Sequence, residues 1–274
     1  MLAEDRCGVH AGVPGTTLPG MNPTSRNSTA PDPARLLLAA AQTLSEAVSA
    51  LQFSAPVAHV YNPLDYAWAP HRAYIERFAA HRLRAVFVGM NPGPFGMMQT
   101  GVPFGEVAAV RDWMSIEAPV RAVADQHPRR PIEGFACQRS EVSGRRLWGW
   151  AARRFGTPEA FFAQCFVLNY CPLVFLEASG RNFTPDKLPR AELAPLQAAC
   201  DEHLRQAVAA LAPAWVIGVG GYARARIESA LGMLGPGGPR VDQILHPSPA
   251  SPAANRGWEP AVDQQLERLG VFAN

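Results

Sequence analysis

Apolar residues recur at helical spacing between Ala34 and Phe53, at Leu36, Leu37, Ala40, Leu44, Val48 and Leu51, which predicts an amphipathic first helix. Four short apolar runs follow: Ala85–Met90 (AVFVGM), Cys165–Asn169 (CFVLN), Trp215–Val219 (WVIGV) and Val241–Leu245 (VDQIL), the last interrupted by Asp242 and Gln243. Runs of this length, without alternation, read as strands buried on both faces. The segments between and after them, roughly 145–155, 189–212, 222–231 and 252–269, carry helical patterns. Strands alternating with helices predict an α/β fold with a mainly parallel sheet covered on both sides. Residues 1–31, rich in Gly, Pro, Ser, Thr and Asn and without periodicity, read as a disordered tail. No internal repeat or linker interrupts residues 32–274, so a single domain is expected there.

Composition narrows the picture further. The 274 residues are enough for one large domain with a proper core. No apolar run reaches the ~18–20 residues that span a bilayer, and no basic flank precedes an apolar stretch at the N-terminus. No membrane partner is expected, and a cytoplasmic, nucleoid-associated bacterial protein is. The formal net charge of +2 identifies no partner by itself, because phosphate affinity comes from local clusters. Arginine dominates the basic residues and Lys187 is the sole lysine, so almost no amine is available for Schiff-base chemistry. The five cysteines, Cys7, Cys137, Cys165, Cys171 and Cys200, show neither zinc nor iron–sulfur spacing. Reduced, mostly buried thiols and no metal or cofactor are the expectation.

In parallel sheets, ligands bind at the carboxyl ends of the strands. The first run is followed by a long Gly/Pro-rich loop, Gly89-Met90-Asn91-Pro92-Gly93-Pro94-Phe95-Gly96, continuing to Gly105. Glycine lets backbone approach a ligand and proline fixes the path. The second run ends in Asn169, whose amide offers both a donor and an acceptor to a base edge but equally suits a turn cap. The fourth runs into His246-Pro247-Ser248-Pro249-Ala250-Ser251-Pro252. One strand-end histidine is weak evidence; its convergence with Asn91 and Asn169 on one sheet edge is stronger. Gly218-Val219-Gly220-Gly221 looks like a dinucleotide loop, but no acidic residue follows at the required distance, and tight strand–helix packing is the favoured reading.

At these residues the chain resembles the single-strand-selective monofunctional uracil-DNA glycosylases of the uracil-DNA glycosylase superfamily. GMNPGPFGMMQTGVPFGEV at 89–107 resembles the first active-site motif and HPSPASPAANRGW at 246–258 the second. Blocks at 60–68, 129–148 and 167–175 fit the same pattern. The resemblance implies a three-layer α/β/α fold around a central four-stranded, mainly parallel sheet. It implies that Asn91 positions the attacking water and that His246 stabilises the departing base. Phe104 would stack on the flipped base, Asn169 would read its edge, and Met90 and Gly93 would line the pocket with backbone. Contacts to DNA are expected from Ser143, Arg145 and a wedge running through Pro247, Ser248, Pro249, Ala250, Ser251, Asn255 and Arg256. Two departures stand out: Ala250-Ser251 where the family usually has arginine after HPSP, and Met98 where a smaller residue is usual. The first is expected to weaken duplex penetration, the second to alter only packing.

The chemistry of these residue types agrees. Breaking an N-glycosidic bond leaves negative charge on the base, which a donor at uracil O2 would stabilise, and positive charge on the sugar, which needs only a well-placed water. Single-stranded and duplex DNA carrying damaged bases is the expected partner, and a monomer the expected state. Two rival readings stand beside this one: a glycosylase for deaminated purines such as xanthine, and a non-catalytic binder of damaged or single-stranded DNA using Phe104, Trp258 and the arginines 129, 130, 139, 145 and 146.

Overall fold

The structure, a computed structural model, describes residues 32–232 and 237–272. The predicted tail at 1–31 lies outside the described residues. The strands are β1 Val57–Tyr61, β2 Ala85–Gly89, β3 Cys165–Asn169, β4 Val174–Glu177, β5 Asn182–Phe183, β6 Trp215–Val219 and β7 Arg240–Ile244. The helices are α1 Pro33–Ser49, α2 Pro63–Tyr66, α3 Trp68–Phe78, α4 Met97–Thr100, α5 Val142–Phe155, α6 Pro158–Phe162, α7 Arg190–Leu211, α8 Gly221–Leu231, α9 Pro252–Asn255 and α10 Trp258–Leu269.

The central sheet has the order β3-β2-β6-β7, and every pair in it is parallel. The four apolar runs predicted as strands are these four. Strands β2 and β3 are buried along their whole length, which is why their sequences lack alternation. Strand β7 pairs with β6 alone and is largely accessible, so VDQIL tolerates Asp242 and Gln243. Helices α1, α7 and α8 pack together, while α5, α6 and α10 form a second group, giving an α/β/α arrangement.

Helix α1 starts where Asp32 accepts from the amide of Ala34 with Pro33 in the first turn. It buries Leu37, Ala40, Ala41, Leu44 and Val48 and stops at Ser49, four residues short of the predicted end. Helix α5 begins at Val142, three residues earlier than its pattern suggests. The final predicted helix, 252–269, is two helices. Gly257 sits at φ 132°, a conformation no helix interior admits, and turns the chain between α9 and α10. The sequence pattern also missed a three-stranded antiparallel sheet of order β1-β4-β5. Its strands are five, four and two residues long, too short for periodicity to register. Met98 is fully buried with Tyr61, Tyr66 and Val174 in a small core beside this sheet. Among the described residues, no helix is long and apolar enough to cross a membrane. Cys137, Cys165, Cys171 and Cys200 are free and buried.

Candidate active site

The site is built by the sheet register. Gly89 of β2 pairs with Asn169 of β3, and the ladder continues beyond both strands: Tyr170 N–H donates to Gly89 O and Cys171 N–H to Met90 O, each at 2.9 Å. This places Asn91 and Asn169 side by side at the carboxyl edge. At the other end, Gly220 N–H donates to Ile244 O at 2.9 Å, carrying the chain of β7 on to His246. Gly220, at φ 93°, has its missing Cβ position 3.1 Å from His246 Cβ, so glycine is needed for the imidazole to pack there. Gly218 faces the backbone of Arg224 in α8 with no room for a side chain. The glycine-rich segment 218–221 therefore serves strand–helix packing and the seating of His246.

Met90, Asn91, Gly93, Phe104, Ser143, Asn169, His246 and Ser248 line one cavity of about 340 Å³. Pro92, Met97, Glu141, Asn182 and Thr184 complete its walls. The two Asn side chains are fixed in different ways. Asn91 donates from Nδ2 to Leu173 O at 3.2 Å and Pro92 O at 3.3 Å, leaving Oδ1 as its acceptor for water. Asn169, 8% exposed, places Nδ2 3.3 Å from Met97 Sδ, a weak acceptor that still leaves the amide free to pair with a ligand.

Phe104 closes the cavity from a strained backbone, with φ 53°. Two donors hold that conformation at its carbonyl: Trp148 Nε1 at 3.0 Å and Glu106 N–H at 2.7 Å. The missing Cβ of Gly89 would lie 2.6 Å from two ring atoms of Phe104 and would also collide with Asn169 Oδ1. Gly89 is thus the vertex at which the aromatic face and the amide edge meet.

His246 is held as one tautomer. Ser248 N–H donates to Nδ1 at 3.0 Å, so the ring proton sits on Nε2. Burial lowers its pKa below the ordinary 6.5, favouring the neutral ring at pH 7. A neutral imidazole with a fixed Nε2–H is a donor suited to a developing oxyanion.

The wedge is a tied loop. Ser248 Oγ accepts from Ala250 N–H at 3.1 Å, Ser251 caps α9 through Ala254 N–H at 3.3 Å, and Asn255 donates to Pro249 O at 2.8 Å. Trp258 Nε1 pins the far end to Leu245 O at 2.6 Å. Ser251 and Asn255 are thus engaged within the loop, while Pro249, Ala250 and Arg256 are exposed on it and Pro247 is buried. Arg145 lies apart from the cavity, bonded to Ser140 and lining a groove with Trp113 and Trp148.

Arg146, named from the sequence only among the arginines of the rival binder, joins Glu141, Asn182 and Thr184 as contributors that the glycosylase reading did not assign. Arg146 donates to Pro247 O at 3.0 Å, Ser248 O at 3.3 Å and Asn255 Oδ1 at 2.9 Å, clamping the wedge to α5. Its spacing of three from Ser143 puts both on one helix face, the signal that distinguishes it from Arg145. Glu141 lines the cavity beside Gly93, and its short polar context gave no cue. Asn182 and Thr184 reach the cavity from the unpredicted β5 segment. Of the remaining arginines, Arg130 and Arg139 sit over the ring of Phe95, each 5.2 Å from its centre, and brace the first loop. Lys187 lies three residues beyond Thr184, with its ammonium 6.0 Å from the Phe183 ring centre. Among the described residues, no cluster of His, Cys, Asp or Glu is arranged to hold a metal ion.

Comparison with known proteins agrees with this geometry. The family model of the uracil DNA glycosylase superfamily matches residues 76–267. The chain is 49% identical over 229 residues to the single-strand selective monofunctional uracil DNA glycosylase of Bos taurus, covering 84% of each chain. It is equally identical to the proteins of the same name from Mus musculus and Rattus norvegicus, over 84% of this chain and 82% of each of theirs. The crystal structure of wild-type Pedobacter heparinus SMUG2 superposes with a TM-score of 0.59 at 16% identity, over 85% of this chain and 97% of that one, a likeness of fold. With the cavity at the carboxyl edge of the sheet, the family match and the near-half identity together, the chain belongs to the uracil-DNA glycosylase superfamily, among its single-strand selective monofunctional members.

Proposed function

We propose that this protein is a monofunctional DNA repair glycosylase that flips uracil, and uracils oxidised at C5 such as 5-hydroxymethyluracil, out of DNA and hydrolyses the N-glycosidic bond to leave an abasic site. The observation that carries the reading is the convergence of Asn91, Phe104, Asn169 and His246 on one cavity at the carboxyl edge of the parallel sheet. Phe104 offers a face for stacking. The Asn169 amide accepts from N3–H and donates to O4, a pattern that cytosine cannot satisfy without leaving buried groups unpaired. His246 Nε2–H meets the charge that develops on O2 as the bond breaks, a role typically contributing ~3–4 kcal/mol. Asn91 Oδ1 holds the water that attacks the sugar, a task needing orientation rather than a strong base. Single-stranded DNA and duplexes with weak pairs suit a wedge that carries Ala250 in place of arginine.

The test is purified protein on labelled oligonucleotides carrying uracil, 5-hydroxymethyluracil, thymine, hypoxanthine or xanthine, single- and double-stranded, with alkali to reveal abasic sites. Excision of uracil and 5-hydroxymethyluracil, crippled by Asn91→Ala, is the expected result. A preference for xanthine would favour a purine glycosylase, and binding without abasic sites a non-catalytic reader. Borohydride should trap no DNA adduct, since strand cleavage through a Schiff base needs an amine at the reacting sugar.

A further inference from the structure

Two side chains on the cavity wall have no part in the roles assigned above. Asn182 and Thr184 stand two residues apart, on and just after β5, so they share one face of it, and both line the cavity. Phe183 between them is buried in the main core on the opposite face. Neither polar group is used up by the fold. Thr184 precedes the short helical turn Pro185–Lys187, yet its hydroxyl makes no capping bond there. Asn182 Oδ1 is buried without a partner. Its Nδ2 is not buried and bonds to nothing among the described residues, so the amide presents its donor end.

The topology says which part of a bound nucleotide they face. His246 and Ser248 reach the cavity from β7, at one edge of the parallel sheet. At the other edge, β3 runs through 170–173 into β4, which pairs with β5 at Phe175–Phe183 and Leu176–Asn182. The same antiparallel register sets Thr184 across from Val174, beside Leu173, whose carbonyl accepts from Asn91 Nδ2 at 3.2 Å. Asn182 and Thr184 thus stand on the Asn91 side of the cavity, where the sugar lies in the proposed function, and across from His246 and the wedge. The base edge is served by Asn169 and His246 and its face by Phe104. Within a DNA strand deoxyribose has no free hydroxyl, and the strong acceptors beside it are phosphate oxygens. Hydroxyls and side-chain amides are regular donors to such oxygens.

We propose that Asn182 and Thr184 form a phosphodiester subsite, in which Asn182 Nδ2 and Thr184 Oγ1 donate to the backbone phosphate of the extruded nucleotide on the flank opposite the wedge. The inference rests on the functional reading above. Glu141, the carboxyl on this cavity's wall, is pushed up to about 7 by burial, with Glu106 adding repulsion, so near neutrality it opposes a phosphate far less than an exposed carboxylate does. The two donors are neutral, so they fix the position of the strand while adding little to counterion release. With the wedge at one flank and this pair at the other, the strand is held on both sides of the reacting sugar. That hold needs no second strand, and so serves a single-stranded substrate as fully as a duplex.

The test uses single-stranded oligonucleotides with one uracil, in which the phosphate on its 5′ or its 3′ side is replaced by a methylphosphonate, as resolved diastereomers. At one of the two positions the wild-type protein is expected to lose at least about 10-fold in kcat/KM, the weight of a hydrogen bond to a charged group. Asn182→Ala combined with Thr184→Val should lose about as much on the natural phosphodiester, mostly through KM, and then less than about threefold more at that methylphosphonate. Thr184→Ser, which keeps the hydroxyl, should stay within about threefold of wild type where Thr184→Val does not, and the salt slope of binding to the natural strand should be unchanged in all of them. If every methylphosphonate penalty of the wild-type protein persists undiminished in the double variant, the proposal is overturned. The absence of a penalty at both positions in the wild-type protein, a comparison that needs no variant, overturns it equally. Uracil excised normally with unchanged penalties defeats the subsite alone; absence of uracil excision in every protein defeats the functional reading beneath it.

Discussion

At His246 the deciding atom is a single proton. Because Ser248 N–H occupies Nδ1, protonating the ring would set two hydrogens against each other, and burial already disfavours the cation. The neutral donor should persist below pH 6.5, so in a Glu141→Gln protein, where no carboxyl in the cavity titrates near 7, the chemical step should be flat from pH 8 through neutrality and fall only on the acid side. His246→Leu removes an interaction realised in the transition state. Single-turnover excision is expected to drop about 10²–10³-fold or more, with much less change in affinity for an abasic-site oligonucleotide. Near-normal rates would mean that another group stabilises the departing base. Gly89 sets a second expectation. A methyl at this position cannot coexist with the Phe104 ring and the Asn169 amide where they now stand. Gly89→Ala should cost at least about 100-fold in kcat/KM on uracil in single strands while the protein still melts cooperatively; activity within tenfold of wild type would show that the ring and amide yield easily. None of the sequence patterns singled out Gly89 for this geometry, because the constraint comes from a cross-strand partner distant in the chain. Asn91, Asn169 and His246 could be placed on one sheet edge from the sequence because Asn169 ends a strand run and the other two directly follow one.

Among the elements, the loop between Leu245 and Trp258, the wedge of the proposed reading, is tied at its ends and exposed at its middle. Its anchors are Arg146, the Ser251 cap and the Trp258 indole, and Ala250 is exposed on it, tied only through its backbone N–H to Ser248 Oγ. Opening a duplex pair costs a few kcal/mol, which a single strand largely avoids. An arginine at 250 can stack in the vacated space and hold phosphate. Ala250→Arg should therefore raise kcat/KM on duplex uracil more than on single-stranded uracil, and steepen the salt dependence of binding. Equal gains on both substrates would assign position 250 to general DNA affinity. The elements read correctly from sequence were those long enough to show a period or buried enough to lack one. Strand β5, two residues long, and the break at Gly257 depend on tertiary pairing and on one backbone angle, and neither leaves a pattern in a window of residues. Glu141 was invisible for a related reason: its carboxyl is accommodated by Gly93 and Gly96, far away on another loop.

Across the whole molecule, buried titratable groups pull stability in opposite directions. His71 and His203 are both depressed to about 4 by burial, and so are neutral in the fold. A histidine with a lowered folded pKa favours folding above its unfolded value near 6.5, and that support is lost as pH falls from there toward 4, by about 3 kcal/mol for each at full titration. Glu141, raised to about 7, has the reverse sign: its protonated form supports the fold below about 4.5, and this support is lost as pH rises toward 7. Glu141→Gln removes the second trend and leaves the first. Its melting temperature should exceed that of the wild-type protein at pH 8, and should fall more steeply between pH 7 and 5. Parallel curves from pH 4.5 to 8 would show that Glu141 does not change protonation on folding. The sheet order carries one further consequence. Asn91 and Phe104 follow the inner strand β2, and Asn169 ends β3, an edge strand buried along its whole length, whereas His246 hangs from β7, an edge strand that is largely accessible. Fraying begins at such edges. On the proposed assignment of roles, a molecule that loosens there keeps its means of recognising a lesion and loses its means of releasing it, so partial unfolding would yield a bystander on DNA rather than an unselective cutter.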